Sequence, residues 1–212
     1  EVFQNLQTDL LKKRANAKLN KGVILTQAMM NYAKYGKTNP FTNMLSAEEL
    51  KNTDPSALTD LLKSLAKTPD KITYYGHLPA QEAYKIITDP LNTLNTTNKP
   101  VPEAKKFPEL KITKPIVYFC NYDMRQAEVI MLSQSSRFNK EWLPYIRLYN
   151  DYYGSGLSSI MFQEVREKMA LAYAVSSSFG VPNYKDDSHY ITSYVGTQVD
   201  KLETALNKMD NL

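Results

Sequence analysis

The sequence has little of what builds cross-links and metal centres. Its 212 residues include one cysteine, Cys120, and two histidines, His77 and His189. A single thiol excludes an internal disulfide. Cys120 closes the apolar run Ile116-Val117-Tyr118-Phe119-Cys120, which predicts a buried, inert thiol. The two histidines are too far apart in the chain to form the helical pair, four residues apart, that lets two imidazoles reach one zinc ion. Each is expected to be an ordinary surface or partly buried side chain, His77 at a turn and His189 ahead of a strand. No apolar run is long enough to cross a bilayer, and nothing at the start reads as a signal peptide. Neither sign of charge dominates, with 26 Lys and Arg against 22 Asp and Glu, a net +4. Lys12, Lys13, Arg14, Lys18 and Lys21 gather early, but no aromatic pattern accompanies them. A solvated helix face is expected there, not a nucleic-acid interface. Glycine is scarce as well, at seven residues, so two close together mark a sharp turn.

What is present is ordinary globular composition, 42% apolar and 23% charged, in a chain long enough for one sizeable core or two small ones. Residues 2–35 read as helix, broken near Asn20-Lys21-Gly22, and Pro40 cannot continue it. Ser46 and Glu49 have capping-box spacing, and Asp54-Pro55 opens a helix with a stripe of Leu58, Leu61, Leu62 and Leu65. Ile72 to Tyr75 reads as a short strand and Pro79 to Ile87 as a helix. From Asp89 to Pro108 the chain is rich in Pro, Asn and Thr without apolar periodicity, which predicts a linker. Beyond it Pro115–Cys120, Ala127–Ser133, Leu171–Phe179 and Tyr190–Val195 read as strands. A helix through Trp142 to Tyr149 lies between them. Thr197 and Asp200 have the spacing to cap a last helix carrying Val199, Leu202, Ala205 and Met209. The division expected is a helical segment 1–88, a linker 89–110 and a C-terminal domain 111–212. Paired strands with helices between the pairs predict an α+β fold, an antiparallel or mixed sheet with helices packed on one face.

One stretch organises the rest, Tyr152-Tyr153-Gly154-Ser155-Gly156-Leu157-Ser158-Ser159, followed by Ile160 to Val175. Gly154 and Gly156 predict a turn between two helices, and Ser158 or Ser159 can cap the second. Leu157, Ile160, Met161, Val165 and Leu171 make one apolar stripe. Glu164 and Lys168 can pair on the wet face. Arg166 lies beside that face, and Tyr173 begins the strand that follows.

These residues resemble the C-terminal, non-zinc domain of the insulinase/pitrilysin-like zinc metallopeptidases, the group that includes the mitochondrial processing peptidase. The family's order of glycine turn, Ser-Ser, Phe, Arg-Glu-Lys, Leu and Tyr is met by Gly154, Gly156, Ser158, Ser159, Phe162, Arg166, Glu167, Lys168, Leu171 and Tyr173. Ile160 stands where a basic residue is common, and Ala170 and Ala172 where glycine is frequent. The resemblance implies a two-layer fold and a peptide chamber. It implies that Arg166 and Tyr173 contact substrate, Arg166 at the peptide backbone and Tyr173 at a substrate carbonyl or oxyanion. It also implies a zinc ion bound outside this chain, by a peptidase domain in the same polypeptide or in a partner subunit.

By itself the chain offers no other chemistry. Gly154-Ser155-Gly156 lacks the order of a serine-nucleophile elbow and follows a helix. It also lacks the preceding strand and following Lys-Ser or Lys-Thr of a phosphate loop. Asp186-Asp187 reads as a solvated loop pair, not as an acid–base dyad. The chain is therefore expected to be inactive alone, as the substrate-binding part of a larger enzyme. The competing reading is a non-catalytic scaffold or partner subunit of the same fold. Because the chain opens at Glu1 inside a predicted helix, a piece of a longer polypeptide is expected. That leaves location open, with the bacterial periplasm or cell envelope as one setting.

Overall fold

A computed structural model of the chain describes all residues except 66–67, 69–70, 93–99 and 102. In chain order its helices are α1 (Val2–Ala17), α2 (Lys21–Val23), a π-helical stretch (Ile24–Met29), α3 (Met30–Tyr35), α4 (Ala47–Lys51), α5 (Pro55–Leu65) and α6 (Ala80–Asn92). Strand β1 (Gln126–Arg137) follows, then α7 (Leu143–Tyr149), π-helical Asn150–Gly154 and Phe162–Lys168, β2 (Ala174–Gly180), β3 (Ser188–Gln198) and α8 (Leu202–Asp210). The residues group into two compact units, one of 1–12 with 45–106 and one of 13–44 with 107–212.

In the first unit the predicted caps form. Ser46 Oγ accepts from Glu49 N at 3.1 Å while Glu49 Oε2 accepts from Ser46 N at 2.7 Å. Asp54 Oδ1 accepts from Ser56 N at 2.9 Å and starts α5. Gln7 donates to Leu50 O at 2.7 Å, tying α1 to α4. The leucine stripe of α5 stays exposed, from 43% at Leu58 to 68% at Leu62.

In the second unit β3 lies between β1 and β2, all antiparallel. Val129, Val195 and Val175 stand in one row across the sheet. Side chains alternate between the two faces of a strand. The face that carries this row meets the helices, and its core comprises Met161, Val165, Leu171, Val195, Ala205 and Met209. The α2–α3 stretch meets the sheet from the alternate positions. Lys21 Nζ bonds Glu128 at 2.6 Å, and Lys34 Nζ sits 4.3 Å from the Tyr190 ring centroid.

Several expectations are corrected. Residues 72–75 and 115–120 are not strands. Neither run pairs with a neighbouring strand among the described residues, and a lone extended run gains no ladder bonds. Ile116, Val117 and Phe119 are consequently 57%, 90% and 86% exposed, and Cys120 is exposed rather than buried. Leu157, expected in the buried stripe, is 73% exposed. Thr197 does not cap the last helix: it lies within β3 and its hydroxyl donates to Leu171 O. His189 lies inside β3 and is fully buried. The linker expectation falls partly on residues outside those described. Of the rest, α6 runs on to Asn92, and Leu110 N donates to Lys34 O at 2.7 Å. Glu109 Oε2 accepts from Ser188 N at 2.9 Å.

Candidate functional site

The predicted site is the turn, helix and strand between α7 and β2, in the second unit. Pro144 in the first turn of α7 lacks only an N–H that would have no helical partner. The helix then widens into the π-helical Asn150–Gly154. Asn150 fixes this piece to the sheet. Its side chain donates to Phe179 O at 3.1 Å and accepts from Phe179 N at 2.7 Å, occupying the outer edge of β2. Tyr149 Oη and Ser193 Oγ each lie 2.8 Å from Ser177 Oγ, which satisfies these hydroxyls inside the core.

The two glycines serve different needs. Gly154 is buried against β2, where a Cβ would stand 2.1 Å from Ser177 O, a distance no side chain tolerates. Gly156 has open space around it but φ of +92°, the left-handed region that favours glycine. Of the two candidate caps, Ser159 takes the role. It is buried, donates to Gly156 O at 2.9 Å and accepts from Phe162 N at 3.3 Å. Ser158 is exposed.

The helix that follows buries Met161 and Val165 and turns Arg166 outward. Residues Phe162–Lys168 are π-helical, a rare geometry that recurs at functional sites. Glu164 bonds Lys168 on its own helix and lies 3.4 Å from Lys208 of α8. The Lys168 hydrogen bond, joined by Lys208, holds the Glu164 carboxyl below its usual range. Arg166 places its guanidinium carbon 4.7 Å from the Phe162 ring centroid, with Nε 3.9 Å from Glu167 Oε1.

The helix ends on Ala170, whose φ of +47° is a left-handed conformation in a non-glycine residue. Two bonds close the end, Ala170 N to Arg166 O and Leu171 N to Val165 O, both 3.1 Å. Lys201 Nζ reaches the Ala170 carbonyl at 3.2 Å. Two residues on from Leu171, Tyr173 N donates to Gly196 O at 2.8 Å and joins the sheet margin just ahead of β2. Its side chain stays outside, 75% exposed. Arg166 is likewise exposed, at 42% of its side chain. Both side chains thus stand in solvent on pinned backbone, and among the described residues no hydrogen bond or ion pair joins them to each other.

Neither histidine belongs to this site. His77 is exposed. His189 is 0% exposed and uses both ring nitrogens, Nδ1 toward Gly180 O at 3.0 Å and Nε2 accepting from Asn139 N at 3.1 Å. Phe138, Trp142 and Phe179 surround its ring. With no lone pair left, His189 cannot ligate a metal. Among the described residues no group of three or more His, Cys, Asp or Glu is disposed to hold one. A shallow hollow lined by Ser46, Glu49 and Asp54 belongs to the first unit and holds none of the predicted site residues.

Sequence reasoning missed Asn150, the bond of Thr197 to Leu171 O and the pairing of Phe162 with Arg166. The last was legible, since residues four apart share a helix face. The other two are long-range contacts with no local mark.

Comparison with known proteins bears on the fold and the family. Residues 71–211 match the family described as "Peptidase M16 inactive domain". A protein of Rickettsia bellii named "Uncharacterized zinc protease" is 38% identical over 94 residues, which cover 44% of this chain and 22% of that protein. Its namesake in Rickettsia felis is 38% identical over 86 residues, covering 40% and 20%. The chain therefore aligns with less than a quarter of the length of these relatives. The crystal structure of the peptidase M16 inactive domain from Pseudomonas fluorescens is similar with a TM-score of 0.67 at 16% identity, over 99% of this chain and 51% of that one. A variant of the ferredoxin protease FusC, solved in complex with Arabidopsis ferredoxin, gives 0.66 at 14% identity, over 99% and 22%. At such identities the structural likeness is one of fold. The sequence match, which spans more than half of the chain, identifies it as a member of the peptidase M16 family, in the region of that family's inactive domain.

Proposed function

We propose that this chain is the substrate-binding, non-zinc part of a zinc metalloendopeptidase. The observation that carries the reading is that Arg166 and Tyr173 both reach solvent from backbone fixed by the core and the sheet. A guanidinium holds a peptide carbonyl without titrating near neutral pH. A phenol donates to the oxyanion that develops at a scissile carbonyl, an interaction stronger in the transition state than in the ground state. Arg166 accordingly holds the peptide backbone, and Tyr173 serves the reacting carbonyl. Zinc, on this reading, belongs to a peptidase domain elsewhere, in the same polypeptide or in a partner subunit.

The same reading accounts for the first unit. On this reading residues 1–88, of which 13–44 fold with the second unit, are the end of a preceding peptidase-like domain, and 111–212 are the family domain that carries the Arg and Tyr, joined through 89–110. The exposed leucines of α5 are the face that the preceding domain covers.

The test uses the complete enzyme with its zinc domain. Tyr173→Phe is expected to lower kcat by about one to three orders of magnitude, the effect of one lost oxyanion donor, with zinc content unchanged. Arg166→Ala is expected to raise KM about tenfold with kcat nearly constant, as for binding shared by ground and transition states. Unchanged peptide cleavage in both variants would favour a scaffold subunit instead.

A further inference from the structure

We infer that Phe162 is the positioning residue for Arg166, holding the guanidinium flat while leaving its N–H donors free for a peptide backbone. The inference rests on the substrate contact proposed for Arg166.

A free arginine side chain has many rotamers, and ordering it on binding opposes affinity. An ion pair can order it, but a carboxylate then occupies the donors that a peptide carbonyl needs. An aromatic face orders a planar cation through the ring quadrupole and takes up no N–H. The geometry at Arg166 is of this second kind. Its guanidinium carbon lies 4.7 Å from the Phe162 ring centroid, well inside the range of such an attraction. The carboxylate paired with it, Glu167, lies 3.9 Å from Nε and is itself 53% exposed. A pair so long and so wet orders little.

Phe162 is also built to stay in place. Its backbone N–H is held by the buried Ser159 hydroxyl at 3.3 Å. It lies four residues before Arg166, on the same helix face. Phe162 is partly buried, and it is not among the residues that pack on the core of Met161, Val165, Leu171, Val195, Ala205 and Met209. A core role therefore leaves the choice of an aromatic residue here unexplained, whereas a platform for Arg166 accounts for it.

The experiment uses the full-length polypeptide with its zinc domain and fluorescein-labelled casein as the unfolded substrate. Phe162→Leu keeps an apolar side chain and removes the ring face; it is expected to raise KM about three- to fivefold with kcat within about twofold, the scale of an exposed cation–π contact. Phe162→Tyr, which restores the face, is expected to return KM to the native value. In an Arg166→Ala background Phe162→Leu is expected to change KM no further. An unchanged KM in Phe162→Leu, or an equal rise with and without Arg166, would overturn the positioning role. If Arg166→Ala itself leaves KM untouched, the substrate contact has failed. A thermal-denaturation cycle on the 212-residue chain then decides the stacking separately. Non-additive Tm changes for Phe162→Leu and Arg166→Ala support it, and additive ones refute it.

Discussion

The two units treat similar helices differently. In the second unit α8 brings Ala205 and Met209 to 0% and 5% exposure, against the sheet and the Met161–Val165 face. In the first, α5 carries four leucines at helical spacing, yet Leu61, Leu62 and Leu65 remain 58%, 68% and 52% exposed. An apolar stripe specifies a helix and a side that wants covering. Only a facing surface turns that side into a core. The sheet supplies such a surface to α8, and no described residue seals the α5 leucines.

The contrast can be broken most directly by truncation. Met161→Ala is expected to cost about 2–5 kcal/mol, the range for emptying a well-packed site. Leu62→Ala should stay within about 0.5 kcal/mol, as for a surface change. Calorimetric unfolding, which follows both units, checks the two variants. Equal losses in the two variants would mean that α5 is packed into a core as firmly as the sheet-facing helix.

Next in size comes the pair of glycines. Gly154→Ala drives a Cβ to 2.1 Å from the Ser177 carbonyl, and the backbone of both must shift. About 2–3 kcal/mol is expected, the upper range of overpacking effects. Gly156→Ala meets no atom and is expected to lose about 1 kcal/mol, from the left-handed backbone alone. A reversed order in calorimetry would contradict the close approach of turn and strand.

A gain is expected at Ala170. Its φ of +47° suits glycine, so Ala170→Gly should stabilise the second unit by about 0.5–1 kcal/mol, as relief of the left-handed strain outweighs the added backbone freedom of the unfolded chain. A lower urea midpoint would show that the strain is not there.

The smallest effect concerns pH. The hydrogen bond from Lys168, with Lys208 nearby, lowers the Glu164 pKa in the folded chain relative to its ordinary 4.5. The folded state thus binds this proton less readily than the unfolded one. The resulting stabilisation is present above about pH 4.5 and drains away as pH falls through the lowered value. Glu164→Gln should therefore be slightly less stable than the native chain at pH 7, and the gap should close as the pH is taken below 4.5 and the native carboxylate titrates. Urea midpoints across that range would expose a gap that fails to close.

Much of this was legible in local pattern. The Ser46–Glu49 box, the Asp54 cap and the central parts of β1 and β3 follow from spacings of two, three and four residues. So do the order of residues that carries the family resemblance and the Glu164–Lys168 pair. Such features depend on neighbours a few residues away, and the chain carries them wherever it folds. The runs 72–75 and 115–120 have the look of strands and are not, because a strand is completed by its neighbour. An apolar alternation states which side chains could share a face and says nothing of whether an edge is vacant to pair with.

Sequence alone determined where most helices lie, the Ser46 and Asp54 caps, the scarcity of His and Cys donors and the family to which the Gly–Ser–Phe–Arg–Tyr order points. Tertiary structure decided the rest. It chose Ser159 over Ser158, drew Thr197 into the strand as a donor to Leu171 O, buried His189 with both nitrogens engaged, and left Cys120 in solvent. Each of these choices turns on a partner distant in the chain or on a surface that shuts out water, and neither is encoded in the residues beside it.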